Sequence, residues 1–173
     1  MNVLTLCTGN VARSVMLGYM LTTLAEVNGE DWHVRSAGTH VIEGSAMSGR
    51  TRAALMAIDE LGEHHFNAHR SHQLDADDVA WANVILTSEA DHVRYVCATF
   101  PDACNKAVQL GLFARSAPLD GSFEHQLRTV STRDPVAEYD VTDPAGGEQG
   151  DYDRCAEELW ELAQVFATLV GTA

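Results

Sequence analysis

A thiol, a guanidinium and a hydroxyl stand close together early in the chain, in the run Cys7-Thr8-Gly9-Asn10-Val11-Ala12-Arg13-Ser14. Gly9 and Asn10 tolerate the left-handed backbone that turns successive N–H groups toward one point, and such a nest holds anions. A helix beginning near Arg13 would add the positive end of its dipole. Those surroundings favour the thiolate of Cys7, which is the nucleophilic form of a cysteine. The planar fork of Arg13 can grip two oxygens of a tetrahedral anion. Ser14 can donate a hydrogen bond to the sulfur and ease its later departure. The chemistry that suits this set is attack on an oxyanionic, phosphoryl-type group. Cys-x5-Arg is a weak signal when taken alone, and a buried cysteine at a strand end is ordinary. A nucleotide P-loop is excluded because Gly-Lys-Ser/Thr is missing.

Breaking a phosphate ester also needs a proton for the departing oxygen and later a base for water. Two Asp-Pro pairs could place a carboxylate on a loop with a fixed backbone, Asp134-Pro135 and Asp143-Pro144. Asp-Pro is a common turn signal, so spacing by itself does not choose between them.

The elements that would carry these groups alternate in type. Val3–Leu6 reads as a buried strand, and 13–27 as a helix with Met16, Tyr19, Met20, Leu24 and Val27 inward, closed at Asn28-Gly29. His33–Ala37 is a second strand ended by Gly38, and 49–61 a helix ended by Gly62. Asp75 caps a helical turn ahead of a third strand over 82–87. A helix over 90–100 stops at Pro101, and 106–110 is a short fourth strand. The stretch 113–142, with Pro118, Gly121 and Pro135, is less regular and holds one short helix near 123–130. An acidic run through Asp151 and Asp153 opens the last helix, whose buried stripe is Cys155, Leu159, Leu162, Phe166 and Leu169. Alternating strands and helices predict one α/β domain over residues 1–173. Its sheet is parallel, four-stranded and doubly wound, with helices on both faces in three layers. Ligands of such sheets bind beyond the carboxyl ends of the strands, which is where Cys7 falls.

Composition narrows the partners. Among 173 residues, 46% are hydrophobic and 21% charged, ordinary for a soluble globular protein. Twenty-five acids against eleven bases give a formal charge of −14, a field that repels nucleic acid and anionic membrane surfaces. An anion site must therefore be built locally, from backbone N–H groups and an arginine. No apolar run approaches a membrane span, and no basic leader precedes a long apolar stretch, so a cytoplasmic location is expected. Cys7, Cys97, Cys104 and Cys155 lie far apart without zinc spacing, which predicts no metal, no cofactor and no disulfide scaffold. Cys97 and Cys155 are expected in the core. The sequence carries no mark of an oligomeric state.

The Cys7–Ser14 run resembles the signature of the low-molecular-weight protein tyrosine phosphatases. The likeness continues through Ser36-Ala37-Gly38-Thr39, His69-Arg70-Ser71-His72-Gln73-Leu74, Val84-Ile85-Leu86 and Asp143-Pro144, in the family's order. It implies a cysteine-dependent phosphatase acting on a phosphorylated protein or a small phosphate monoester of phosphotyrosine type, through a phosphocysteine and without a metal. It also implies Asp143 rather than Asp134 as the acid, and Asn10, Ser36 and His69 as a network holding the loop. The chain departs from the pattern at Ala12 and Val15, where a second cysteine and a proline are usual. Further departures are Ala145-Gly146 after Asp-Pro, Ile42 where Trp is frequent, and Ser88-Glu89 with His92 after the third strand. A flat phosphotyrosine ring thereby loses expected stacking partners. Within the family, the apolar Val11 resembles the phosphotyrosine branch; Thr there would favour phosphoarginine. Two other readings share the loop. Thioredoxin-coupled arsenate reductases resemble 87–91 and 143–146, but need further thiols. Here Thr87 stands at the second, while Cys97 and Cys104 are shifted along the chain and Cys97 is expected to pack beside Val93 and Val96. The other is a phosphate-binding module without catalysis.

Overall fold

The computed structural model describes residues 1–62 and 66–171. Four strands, β1 (Asn2–Cys7), β2 (His33–Gly38), β3 (Val84–Thr87) and β4 (Ala107–Gln109), form one sheet in the order β2-β1-β3-β4. Every pairing is parallel, with Cys7 opposite Gly38 and Leu6 opposite Thr87. The chain leaves β1 toward β2 on one side and later returns to β3 on the other. The loop after β1 therefore sits at the point where strand order reverses, the natural crevice of a doubly wound sheet.

Side chains alternate along β1 and feed two cores. Val3 joins Met16, Leu17, Met20, Phe113, Leu159 and Phe166 on one face, under helices α1 (Arg13–Asn28), α2 (Gly49–Met56), α5 (Leu110–Ser116), α6 (Phe123–Ser131) and α7 (Gln149–Gly171). Leu4 and Leu6 join Leu74, Val79, Ile85, Val93 and Val96 on the other, under α3 (Ala76–Trp81) and α4 (Ala90–Thr99). The expected three-layer architecture is present. Gly29 ends α1 in the left-handed conformation, and Asp75 caps α3 by accepting from the Asp78 N–H at 2.9 Å. The expected stripe of α7 is buried from Cys155 to Leu169.

Four local expectations are corrected. The helix expected over 49–61 stops at Met56, and a separate 3-10 turn covers Asp59–Leu61. Val27 is exposed, as is the rest of the last turn of α1 from Glu26 to Gly29. The fourth strand is only three residues long, and α5 follows it at once where irregular chain was expected. Gly111 explains the close fit there: a Cβ at this position would run into the Tyr139 carbonyl.

The cysteines give the fourth. Cys97 and Cys104 form a disulfide with Cα atoms 4.5 Å apart. Cys97 does pack against the second core, but it is not a free core thiol. No helix among the described residues is long and apolar enough to cross a membrane.

Candidate active site

The arc from Cys7 to Ser14 is held from outside by its carbonyls. The Cys7 carbonyl accepts from the Thr39 N–H at 2.9 Å and the Thr8 carbonyl from the His40 N–H at 2.9 Å. The Val11 carbonyl accepts from the Thr51 hydroxyl at 2.9 Å, and the Ala12 carbonyl from the Met16 N–H at 2.8 Å. In a trans peptide the N–H points opposite to the C=O, so carbonyls turned outward leave the amides facing the interior of the arc. Asn10 makes the bend, as the one non-glycine residue with positive φ (50°) among those described. Ala12 precedes α1 without capping it by a side chain, which leaves the first-turn amides of α1 to the same interior.

Space around the arc is tight. A Cβ at Gly38 would stand 2.6 Å from the Thr8 carbonyl oxygen and 2.5 Å from Val41, so β2 can approach the loop only with glycine there. This is a packing reason for the Ser-Ala-Gly-Thr run.

Asn10 is wholly buried and saturated. Its amide donates to Ser14 Oγ and to Ser36 Oγ, each at 2.9 Å, and its Oδ1 accepts from the His72 N–H at 2.9 Å. Its main-chain carbonyl accepts from His69 Nε2 at 2.8 Å. Burial lowers the pKa of His69, with Arg70 adding to the effect against the Asn10 bond, so this histidine is the neutral, Nε2-protonated form. Ser14 Oγ lies 3.0 Å from Cys7 Sγ. Since the Asn10 amide already donates to Ser14, the serine hydroxyl is free to donate to the sulfur. The residues that sequence reading grouped as a loop network are thus brought into direct contact.

Arg13 is 1% exposed. Its guanidinium donates to Glu89 Oε1, to the Val141 carbonyl at 3.0 Å and to Asp143 Oδ2 at 2.6 Å. Burial works against its charge, but Glu89, Asp143 and Cys7 outweigh that and hold its pKa above the ordinary value. Asp143 is 40% exposed at the mouth. Its other oxygen accepts from the Ala145 N–H at 3.0 Å, which fixes the turn at Pro144. Asp134 takes no part in this set and lies among exposed residues ahead of the short 3-10 turn Ala137–Tyr139.

Two site residues were met in the sequence only as departures. Glu89 caps α4 and pairs with Arg13. His92, 4% exposed, accepts the Glu89 N–H at Nδ1 (3.2 Å) and places Nε2 3.0 Å from Thr8 Oγ1. Burial and nearby Arg13 push its pKa down to about 4 despite Glu89, so it is neutral and donates from Nε2 to Thr8. Their signal was positional: they follow β3, whose carboxyl end must lie beside that of β1. Gln109, also missed, ties the returning chain down through the Val136 carbonyl (3.0 Å) and Asp140 (2.6 Å).

Cys155 lines the cleft beside Asp143, near enough for Arg13 and Cys7 to act on its thiol. Burial pushes the Cys155 thiol up to about 12, the state of an inert packing residue. The Cys97–Cys104 disulfide lies toward the far end of the sheet, since α4 rises about 10 Å from its start before reaching Cys97 and β4 begins just after Cys104. Those two sulfurs are not placed to relay with Cys7.

A doubly wound parallel sheet with a cysteine, a buried arginine and inward amides at its reversal point defines a class: α/β enzymes that form a covalent bond from sulfur to an oxyanion. Residues 2–172 match the family of low molecular weight phosphotyrosine protein phosphatases. A protein-arginine-phosphatase of Geobacillus stearothermophilus is 30% identical over 170 residues, covering 98% of this chain and 96% of the relative. The solved YwlE arginine phosphatase from Geobacillus stearothermophilus superposes with a TM-score of 0.74 at 29% identity, over 96% of this chain and 90% of that one. A low molecular weight protein tyrosine phosphatase from T. tengcongensis gives 0.77 at 28%, over 96% and 97%. The chain belongs to the low molecular weight phosphotyrosine protein phosphatase family and is a cysteine-dependent phosphatase.

Proposed function

We propose that Cys7 is the nucleophile, Asp143 the general acid and base, and Arg13 with the amides of 8–13 the binder of the transferred phosphoryl group, acting on phosphorylated protein side chains. One observation carries this reading: Cys7 Sγ lies 3.0 Å from Ser14 Oγ, while Arg13 joins that arc to Asp143 at 2.6 Å. An arriving phosphoryl group competes with Asp143 for the guanidinium, and the exchange frees the carboxylate to take up a proton and turn toward the leaving atom. In the first step sulfur bonds to phosphorus, the bond to the leaving group breaks and Asp143 supplies the proton. In the second, water attacks phosphorus, Asp143 takes its proton and the S–P bond breaks, with Ser14 donating to the departing sulfur. Arg13 and the inward amides stabilise the equatorial oxygens in both steps. Asn10, Ser36 and His69 keep the arc in shape.

For the phosphorylated group we favour phosphoarginine. The mouth is lined by the carboxylates of Glu89 and Asp143, and a cleft of ≈ 480 Å³ beside Asp143 adds Asp151 and Glu158 against one Arg154. Such a rim suits a guanidinium leaving group and offers an aryl ring no aromatic partner at Ala145. The protein-arginine-phosphatases named above point the same way. Phosphotyrosine is the second reading, favoured by the apolar Val11.

Turnover of p-nitrophenyl phosphate and of phosphoarginine and phosphotyrosine peptides decides both levels. Cys7→Ser is expected to abolish all three, and phosphoarginine to exceed phosphotyrosine at least tenfold in kcat/KM. The reverse ratio transfers the substrate to the second reading. Phosphate binding without any turnover would leave only a binding module.

A further inference from the structure

We infer that His72, Asp75 and Asp78 form a binding site for one first-row divalent cation of the zinc class, on the opposite side of Asn10 from the phosphoryl arc. His72 Nε2 lies 3.0 Å from Asp78 Oδ2 and 3.5 Å from Asp75 Oδ2, and all three ligand atoms fall within 4.8 Å of one another. Ligand atoms about 2.1 Å from such a cation stand about 3.0 Å apart across an octahedral edge and about 3.4 Å apart across a tetrahedral one. Both separations from His72 Nε2 match these edges.

Asp78 supplies an independent indication. The residue is 6% exposed, and its buried Oδ2 accepts no hydrogen bond among the described residues. His72 Nε2 is near enough but lies outside hydrogen-bond geometry, so the 3.0 Å approach does not satisfy the oxygen. Arg35 reaches only the other oxygen, at 3.9 Å, and rests over the Trp81 ring. A buried carboxylate oxygen without a donor is costly, and a cation bound at that point would remove the cost.

The surrounding shell is also arranged for this. Glu43 Oε1 lies 3.0 Å from His72 Nδ1, and Glu43 Oε2 is fixed by the Gln73 N–H at 2.9 Å. A carboxylate on Nδ1 draws the proton there and leaves the Nε2 lone pair for a metal, the usual carboxylate–histidine–metal relation. Asp75 uses Oδ1 for the Asp78 N–H at 2.9 Å, so the cap fixes the direction of Oδ2. One imidazole and two carboxylates suit zinc, cobalt or manganese, with water at the remaining positions.

The same histidine seats the phosphoryl loop. Its N–H donates to Asn10 Oδ1 at 2.9 Å and its carbonyl accepts from the Gly38 N–H at 2.9 Å. A cation here would stiffen the segment that holds Asn10 without touching the reacting atoms.

The test is titration of the full chain with Zn(II) by calorimetry and with Co(II) by visible absorption, in a Cys7→Ser background that removes the thiolate as a competitor. One equivalent is expected to bind, at least 100-fold more weakly in Asp78→Asn and in His72→Gln, and roughly tenfold more weakly in Glu43→Gln. Zinc should raise the Tm of the parent and leave that of His72→Gln unchanged. If Asp78→Asn does not fold, His72→Gln, altered at a side chain 42% exposed, decides the matter alone. No binding at millimolar metal, or affinity altered less than tenfold in His72→Gln, overturns the site and leaves His72 as a protonated histidine among three carboxylates.

Discussion

The arc of residues 7–14 and the strap of residues 136–147 meet across the carboxyl edge of the sheet and are held by different means. The arc is mostly buried, and its carbonyls and the Asn10 side chain are tied to β2 and the residues after it, α1, α2 and the 69–72 segment. The strap is largely exposed and hangs from a few points: Gln109 and the Ala90 N–H on Asp140, the Val141 N–H on the Ser88 carbonyl, and Arg13 on Val141 and Asp143. On the proposed roles, the dipoles of the arc must not move as charge develops, whereas Asp143 as proton carrier must turn from one partner to another. Burial suits the first task and partial exposure the second.

Substitutions at the two regions should therefore separate chemistry from stability. The largest effect after loss of Cys7 is expected for Asp143→Asn: kcat toward a monoester with a poor leaving group falls about 10²–10⁴-fold. The Tm should barely change, because the half-exposed pair with Arg13 adds little to stability. A large loss of Tm would show the strap to be as structural as the arc. Asn10→Ala should do both kinds of damage. It strips a buried residue of its bonds to Ser14, Ser36 and His72, lowering stability by about 3 kcal/mol in chemical denaturation and kcat at least tenfold. Unchanged kcat in the folded variant would mean that the arc keeps its shape without this network.

Away from both regions, Cys104→Ser removes a disulfide that closes a short loop, with a sequence separation of 7. A loss of about 2 kcal/mol with kcat unaltered is expected. Loss of activity would instead bring that far end of the sheet into the chemistry.

The smallest effect is a pH slope. His92 is neutral when folded because its pKa is pushed from 6.5 down to about 4, so the unfolded chain binds the proton more readily. Stability from this group is fully present above pH 6.5 and is lost as pH falls toward 4, at no more than about 1.4 kcal/mol per pH unit. His69 is shifted in the same direction and adds to the slope. His92→Gln should flatten, though not abolish, the fall of Tm between pH 6.5 and 5; an unchanged slope would show that His92 does not stay neutral.

Regular elements were legible where side-chain pattern and backbone requirement agreed. Strand β1, helix α1 with its Gly29 stop, the Asp75 cap and the stripe of α7 follow from local periodicity and capping. Helix α5 was not legible, because it starts directly at the end of a three-residue strand and closes over Gly111 against a distant carbonyl.

The chain alone determined a cysteine and an arginine six positions apart around a turn that only Gly or Asn accepts readily, because local backbone chemistry is written in consecutive residues. Tertiary structure decided that Glu89 and His92 reach the arc, that Gln109 hangs the strap, and that Cys97 meets Cys104. Those contacts join segments that approach only once the sheet has formed. Neither residue type nor spacing announces a partner tens of positions away.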